Sequence, residues 1–235
     1  MDLLLRRRTM MAPPAREEYI IFADPVVGQI CATNWGDGVG ITPSQAARVT
    51  SLASKFLGNT QITSFDELEY FTGLTTLGNN VAFQGCTALA SFKLPPTLTD
   101  TGLKAFRGCS ALTGSLSISV DTIGSETFRG TRYVNVTVDC ITLGGSAFRN
   151  ISTLRTVDVS ARCTSIAGLA FSSSGSSSNK CTFYFRSTTP PELSDTSAFT
   201  ASYINKIYVP SGSVNAYKTA SNWSTFASYI EGIPS

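Results

Sequence analysis

The chain has 235 residues, of which 42% are hydrophobic and 14% charged, and its net charge is +2. This length and apolar content can bury a substantial core in one elongated domain, while the low charge and the lack of a Lys/Arg stripe argue against nucleic acid as a partner. The chain contains no histidine, which removes the commonest general base and the Ser-His and Cys-His routes to a nucleophile, so we predict that it is not an enzyme.

Residues 1–18 are predicted to form an arm that anchors the chain to a partner protein. Three leucines precede three arginines, the reverse of the order in a secretory signal, and no run of about eighteen apolar residues predicts a membrane span. The leucines have no core of their own to enter, and the arginines suit carboxylates once water is excluded. The predicted partner-binding residues are Leu3, Leu4, Leu5, Arg6, Arg7 and Arg8. A disordered terminus is the alternative.

Residues 19–60 predict a helical cap at the N-terminal end of the domain. The segments 21–35 and 44–50 each have the pattern of a short helix, and a Gly-rich loop separates them. We therefore expect two short helices packed ahead of the rest of the chain.

An internal repeat occupies most of the remaining sequence. Six phenylalanines follow a small residue at intervals of 20 to 28 residues: Phe83, Phe106, Phe128, Phe148, Phe171 and Phe199. A unit of this size cannot bury an apolar face alone, so residues 61–210 are predicted to stack as a solenoid with one continuous core. Phe106 and Phe128 should be fully buried in a shared aromatic stack.

Short runs between the phenylalanines predict strands, because their apolar residues recur at every second position. These runs are residues 116–118, 134–138, 154–159, 183–185 and 207–209. Each strand should lie beside the next in a parallel ladder. Gly-containing turns are predicted at residues 122–124, 142–144 and 165–168, and a flexible loop at residues 172–179.

Residues 211–235 predict a C-terminal cap. We expect a short helix that starts at Ser213, with Val214, Tyr217, Trp223 and Phe226 turned inward over the last repeat. Such a cap would shield the strand edge at residues 207–209, since open strand edges invite aggregation.

The six cysteines form no C-x-x-C pair and have no histidine to complete a zinc site, so we predict neither a metal nor a cofactor. They are Cys31, Cys86, Cys109, Cys140, Cys163 and Cys181. Cys86 and Cys109 take the same position in successive repeats, beside a glycine that allows a tight bend, and are predicted to be reduced packing residues. Their even number leaves disulfides as the alternative.

One dense acidic group lies ahead of the first repeat. It contains Asp66, Glu67 and Glu69 beside Tyr70. Carboxylates in such a segment are more often a solvated face than an acid/base pair, and glycosidase-like chemistry is the alternative.

The pattern A-F-x-G-C-x-x-L in residues 82–89 and 105–112, followed by an apolar strand with L-P and then by I-G-x-x-A-F, resembles the BspA-type leucine-rich repeat of bacterial surface proteins. The resemblance covers about residues 61–210. It implies an α/β or mainly β fold, a leucine-rich-repeat solenoid with a parallel strand ladder and with helical N- and C-terminal caps.

Relatives with this pattern carry a calcium-binding, EF-hand-like loop in the N-terminal cap. If Ile41 takes the apolar eighth position, the oxygen-donor positions one, three, five and twelve fall on Asn34, Gly36, Gly38 and Gln45. Two of these have no side chain and none is charged, whereas Ca²⁺ needs several carboxylates. The sequence therefore predicts a degenerate loop kept for its turn, with calcium binding as the alternative.

Two functions remain open at this point. The first is a non-enzymatic phage virion component, on the capsid or the tail, made in the host cytoplasm, bound to other virion proteins by its arm and projecting its repeats for assembly or adhesion. The Leu-Arg-Met leader resembles those of gut-phage structural proteins, and Met1 without an export signal favours this interpretation. The alternative is a bacterial cell-surface adhesin of the BspA type that binds host proteins or glycans. Copies of the same chain are a further expected partner.

Overall fold

The computed structural model describes residues 17–78 and 81–234. Within these residues the α-helices are α1 (Pro25–Trp35), α2 (Pro43–Ala46) and α3 (Val214–Thr219). The strands are β1 (Ser64–Phe65), β2 (Ser91–Phe92), β3 (Thr113–Ser119), β4 (Thr122–Ile123), β5 (Arg132–Asp139), β6 (Thr142–Leu143), β7 (Thr156–Val159), β8 (Ser165–Ile166), β9 (Cys181–Phe185), β10 (Glu192–Leu193), β11 (Ile204–Val209) and β12 (Ile230–Gly232). No helix in the described ranges has the length and apolar character needed to cross a bilayer.

The largest sheet is parallel and follows the sequence order β3, β5, β7, β9, β11 and β12. Its register aligns one buried apolar residue from each strand in a column: Leu116, Val136, Val157, Phe183, Ile207 and Ile230. Every run with period-two alternation overlaps one of these strands. The predicted parallel ladder is therefore confirmed.

A second parallel sheet replaces the predicted turns. Residues 122–123, 142–143 and 165–166 are the strands β4, β6 and β8, and β10 pairs with β8. The turn assignment was wrong because neighbouring backbones approach closely enough to hydrogen-bond: a Cβ on Gly124 would lie 2.0 Å from the carbonyl oxygen of Gly102. The small glycine thus permits a ladder where the sequence suggested only a bend.

The six repeat phenylalanines form one aromatic column. Adjacent rings are stacked with centroids 5.2 to 5.7 Å apart, and the predicted burial of Phe106 and Phe128 is confirmed, since both have no exposed surface. The column also includes Phe56, whose ring lies 5.2 Å from that of Phe83. Gly85 and Gly108 have φ angles of 76° and 75°, which supports the predicted tight bend.

The cysteines of the repeat do more than fill space. The thiol of Cys86 donates to the carbonyl oxygen of Phe56 at 2.9 Å, and that of Cys109 donates to Phe83 at 3.0 Å. The hydroxyl of Ser174 donates to the carbonyl of Phe148 in the same manner. Ser174 is buried, so the segment predicted as a flexible loop begins as a packed turn, because its side chain satisfies a carbonyl of the preceding repeat.

Both predicted N-terminal helices are present. Asp24 caps α1 by accepting from the amides of Val26 and Val27, and Pro25 occupies the first turn, where its missing N–H is harmless. Thr42 and Gln45 form a capping box around α2. The second helix is shorter than expected, since it ends at Ala46.

The C-terminal segment contains the predicted helix together with a strand that its sequence did not suggest. Ser213 precedes α3, and Tyr217, Trp223 and Phe226 are buried, as predicted. Val214, which was also expected to turn inward, packs against the core but is only half-buried. The chain then returns as β12, which pairs with β11. The edge of β11 is thus covered by backbone hydrogen bonds as well as by side chains.

Candidate binding surfaces

The predicted anchoring residues Leu3, Leu4, Leu5, Arg6, Arg7 and Arg8 lie outside the described residues. The described chain begins at Glu17, whose carboxylate accepts from the amide of Ser44 at 2.9 Å. This contact ties the start of the described chain to α2.

The loop between α1 and α2 closes on its own side chains. Asp37 accepts hydrogen bonds from the Tyr19 hydroxyl and from the amides of Gly40 and Val39, which lower its pKa to about 2. The side-chain oxygen of Gln45 accepts from the Thr42 amide. These oxygens already accept hydrogen bonds from backbone amides within the loop. The geometry therefore supports the prediction of a degenerate loop that is retained for its turn. In the described ranges, no three His, Cys, Asp or Glu residues form a potential metal site.

The acidic group lies on a short 3₁₀ helix, Asp66–Tyr70. Glu67 accepts from the amide of Ala23 at 2.9 Å, and Glu69 lies 3.5 Å from the amine of Lys93. The Glu67 contact connects the N-terminal segment to the first repeat, and the Glu69 contact connects that repeat to the next one. Both are structural uses of the carboxylates.

All six thiols are free and buried, in agreement with the reduced state predicted from the sequence. Burial raises the pKa of Cys86 to about 11 and that of Cys181 to about 12. Cys86 and Cys181 are therefore protonated and poor nucleophiles, because the thiolate is the reactive form. The hydrogen bond with Cys140 instead lowers the pKa of the Cys163 thiol.

A groove separates two repeats in the middle of the chain. It has a volume of about 490 Å³ and lies between the segment around Phe92, Leu94 and Pro95 and strand β3. Strand β2 pairs with β1, whereas β3 pairs with β5, so the ladder is interrupted between β2 and β3. Pro95 and Pro96 line the groove and have no N–H to donate to a neighbouring strand.

The edge of β3 that faces this groove consists of backbone groups. The carbonyl of Leu112 and the amide of Val120 bond to β5, so the even-numbered residues direct their backbone groups toward that strand. Backbone groups alternate along a parallel strand, and those of Ser115, Ser117 and Ser119 therefore point into the groove. In the part of the chain that is described, β3 has no strand partner on that side. An extended peptide is the ligand that such an edge accepts.

Cations from successive repeats lie on one face of the stacked repeats, and three of them meet at a single carboxylate. The carboxylate of Glu126 lies 3.7 Å from Lys104, 3.1 Å from Arg107 and 2.7 Å from Arg129. Arg149 occupies the position equivalent to Arg129 in the next repeat, since their carbonyls accept equivalent backbone hydrogen bonds. The linear sequence showed no Lys/Arg stripe because each repeat contributes one or two of these residues.

Comparison with known proteins identifies the repeat. A family model described as the BspA type leucine rich repeat region matches residues 50–178 in six copies. Comparison with curated proteins finds no match. The matched region begins before Phe56, which agrees with the place of that ring in the aromatic column.

Proposed function

Because this chain belongs to the BspA-type leucine-rich repeat family, we propose that it is a non-enzymatic binding or structural protein whose repeats form a solenoid between helical N- and C-terminal caps. Repeat domains of this kind serve protein–protein binding or structural roles. In this proposal residues 19–60 and 211–235 are the caps, and residues 61–210 are the solenoid.

The observation that carries a binding role is the open edge of β3. Its outward backbone groups lie beside an apolar wall that contains Phe92 and Leu94, so an extended segment can gain both hydrogen bonds and apolar contacts there. We propose that a partner protein adds such a segment to β3 in the groove.

The proposed setting is a phage virion. Six free, buried thiols suit a chain that folds in a reducing cytoplasm, where virion proteins are made. The arm, residues 1–18, would anchor the protein to other virion proteins through its leucines and arginines, on the capsid or on the tail. The second candidate, a cell-surface adhesin that binds host proteins or glycans, is favoured by the repeat type, which resembles that of bacterial surface proteins.

Purified particles test the virion proposal. The intact protein should be detected by mass in the particles, and a variant without residues 1–14 should fold normally yet fail to be incorporated. Equal incorporation of the truncated protein would remove the anchoring role and favour the adhesin.

A second experiment tests the groove. Ser117→Pro removes one N–H that points into the groove, a position where a strand edge tolerates proline. Ser117→Ala keeps that N–H and is the matched control. The proline variant should fail to be incorporated into particles, whereas the alanine variant should be incorporated like the wild type. Both variants should have melting temperatures near that of the wild type. Equal incorporation of the two variants would show that the groove is not the partner site.

A further inference from the structure

One row of side chains runs across five consecutive repeats. The carbonyls of Gln84, Arg107, Arg129, Arg149 and Ser172 each accept a hydrogen bond from the preceding repeat, from the amides of Gly58, Gly85, Gly108, Gly130 and Asn150, at 2.8 to 3.0 Å. The three central residues, Arg107, Arg129 and Arg149, are called here the arginine row. Their equivalent backbone positions put the three residues at the same place in successive repeats, and the guanidinium groups of Arg107 and Arg129 both reach the carboxylate of Glu126.

The arginine row carries more positive charge than its neighbours neutralise. Glu126 is the carboxylate that pairs with Lys104, Arg107 and Arg129. Burial acts to raise the pKa of Glu126, but the hydrogen bond from Arg129 and the charges of Arg107 and Lys104 outweigh it and keep the pKa below its usual range. One ionised carboxylate therefore faces three cations.

Arg149 has no carboxylate of its own. Its backbone amide donates to the carbonyl oxygen of Ser146, and the backbone amide of Arg129 donates to the carbonyl oxygen of Glu126. Ser146 therefore occupies the position that Glu126 has in the previous repeat. The Nε atom of Arg149 is buried and makes no hydrogen bond, and none of the ion pairs among the described residues involves Arg149. A buried donor without a partner is unfavourable. A change of rotamer that brings the Arg149 guanidinium to a bound anion would therefore break no existing hydrogen bond of that Nε atom and would gain charge-assisted ones.

We propose that the arginine row binds a linear polysaccharide that carries carboxylate or sulfate groups. The adjacent phenylalanine rings are 5.5 Å apart between Phe106 and Phe128 and 5.2 Å apart between Phe128 and Phe148, so the backbone positions that carry the arginines recur at about that interval. Glu126 shows that a carboxylate fits between the cations of adjacent repeats. An incoming anion would occupy the equivalent place beside Arg149.

The surroundings of the row favour a polysaccharide over the other polyanions. An extended acidic peptide presents carboxylates on one face about 7 Å apart, and comparison with polyglutamate in the test below separates it from a polysaccharide. Single-stranded nucleic acid needs aromatic platforms for its bases, and the aromatic residues among the large exposed apolar side chains are Tyr19 and Tyr70, neither of which belongs to the row. Gln84 and Ser172 extend the row at both ends with uncharged groups that suit sugar hydroxyls.

This inference does not depend on the groove or on the arm. Its test measures binding of the full-length protein to polygalacturonate, dextran sulfate and neutral dextran at low ionic strength. Arg149→Ala should weaken binding to at least one anionic polymer about tenfold, the loss of one charge-assisted contact. Glu126→Gln should strengthen binding to the same polymer. Neutral dextran should not bind.

Lys218→Ala, in α3, removes the same charge elsewhere and should stay within about twofold of wild type, as expected for a distant charge under screening. If Arg149→Ala weakens binding to polygalacturonate alone, the group that the row binds is a carboxylate. If it weakens binding to dextran sulfate alone, the group is a sulfate. The proposal is overturned if Arg149→Ala and Lys218→Ala bind alike while both keep the wild-type melting temperature. Tighter binding of polyglutamate or of oligo-dT than of both anionic polysaccharides would also overturn it.

Discussion

The rings of Phe106 and Phe128 lie almost parallel, with an interplanar angle of 1° and centroids 5.5 Å apart. Phe106 also stacks on Phe83 at 5.2 Å and on Phe92 at 4.1 Å. A ring that contacts both neighbouring repeats joins them into one core. The aromatic column is therefore the element on which the register of the stacked repeats depends.

Phe106→Ala should lower the free energy of unfolding by about 3–5 kcal/mol, because it leaves a cavity between two repeats that cannot close without moving both. Denaturant unfolding followed by tryptophan fluorescence measures this loss. Tyr70→Ala, at an exposed aromatic residue, is the control and should change stability little. A melting temperature of Phe106→Ala within a degree or two of wild type would contradict the role given to the column.

Gly124→Ala should be strongly destabilising. Its Cβ would lie 2.0 Å from the carbonyl oxygen of Gly102, which is backbone and cannot turn away. Gly212→Ala is the matched control, since nothing lies within 4 Å of its added Cβ. The melting temperature should fall clearly for Gly124→Ala and hardly at all for Gly212→Ala. Similar melting temperatures for both variants would mean that neighbouring repeats do not approach each other so closely at Gly124.

Asp24 should make the free energy of unfolding depend on pH. Burial acts to raise its pKa, but hydrogen bonds from Thr63, Val27 and Val26 outweigh it and lower the pKa. The folded state therefore binds this proton less readily than the unfolded chain, so the stabilisation is present above the ordinary aspartate pKa of about 3.9 and is lost as the pH falls below it.

Asp24→Asn should cost about 1–3 kcal/mol at neutral pH, because the Thr63 amide and hydroxyl lose a charged acceptor. The difference in stability between wild type and variant should shrink from pH 6 to pH 3, as measured by urea unfolding at each pH. A difference that stays constant over that range would show that ionisation of the Asp24 carboxylate does not stabilise the folded protein.

Deleting residues 211–235 should produce a chain that self-associates. The deletion removes β12, which covers the edge of β11, together with the buried Tyr217, Trp223 and Phe226. Exposed parallel edges and aromatic surface promote aggregation. Size-exclusion chromatography with light scattering reports the outcome, and a monodisperse monomer would refute the capping role.

Several parts of the fold could be read from local patterns, and others could not. The long strands were predictable because their apolar residues alternate, whereas β4, β6, β8 and β10 have two residues each and show no period. Phe56 escaped the repeat pattern because Lys55, rather than a small residue, precedes it. The strand β12 was missed because its pairing depends on where the chain returns after α3.

The sequence by itself determined the repeat, the aromatic column and the main parallel ladder, since each depends on a spacing that recurs along the chain. The candidate binding surfaces were decided by tertiary structure. The groove exists because two neighbouring repeats fail to pair beside Pro95, and the arginine row exists because stacking brings Arg107, Arg129 and Arg149 side by side. Stacking converts a separation of about 20 residues along the chain into one of about 5 Å in space, which no local pattern reports.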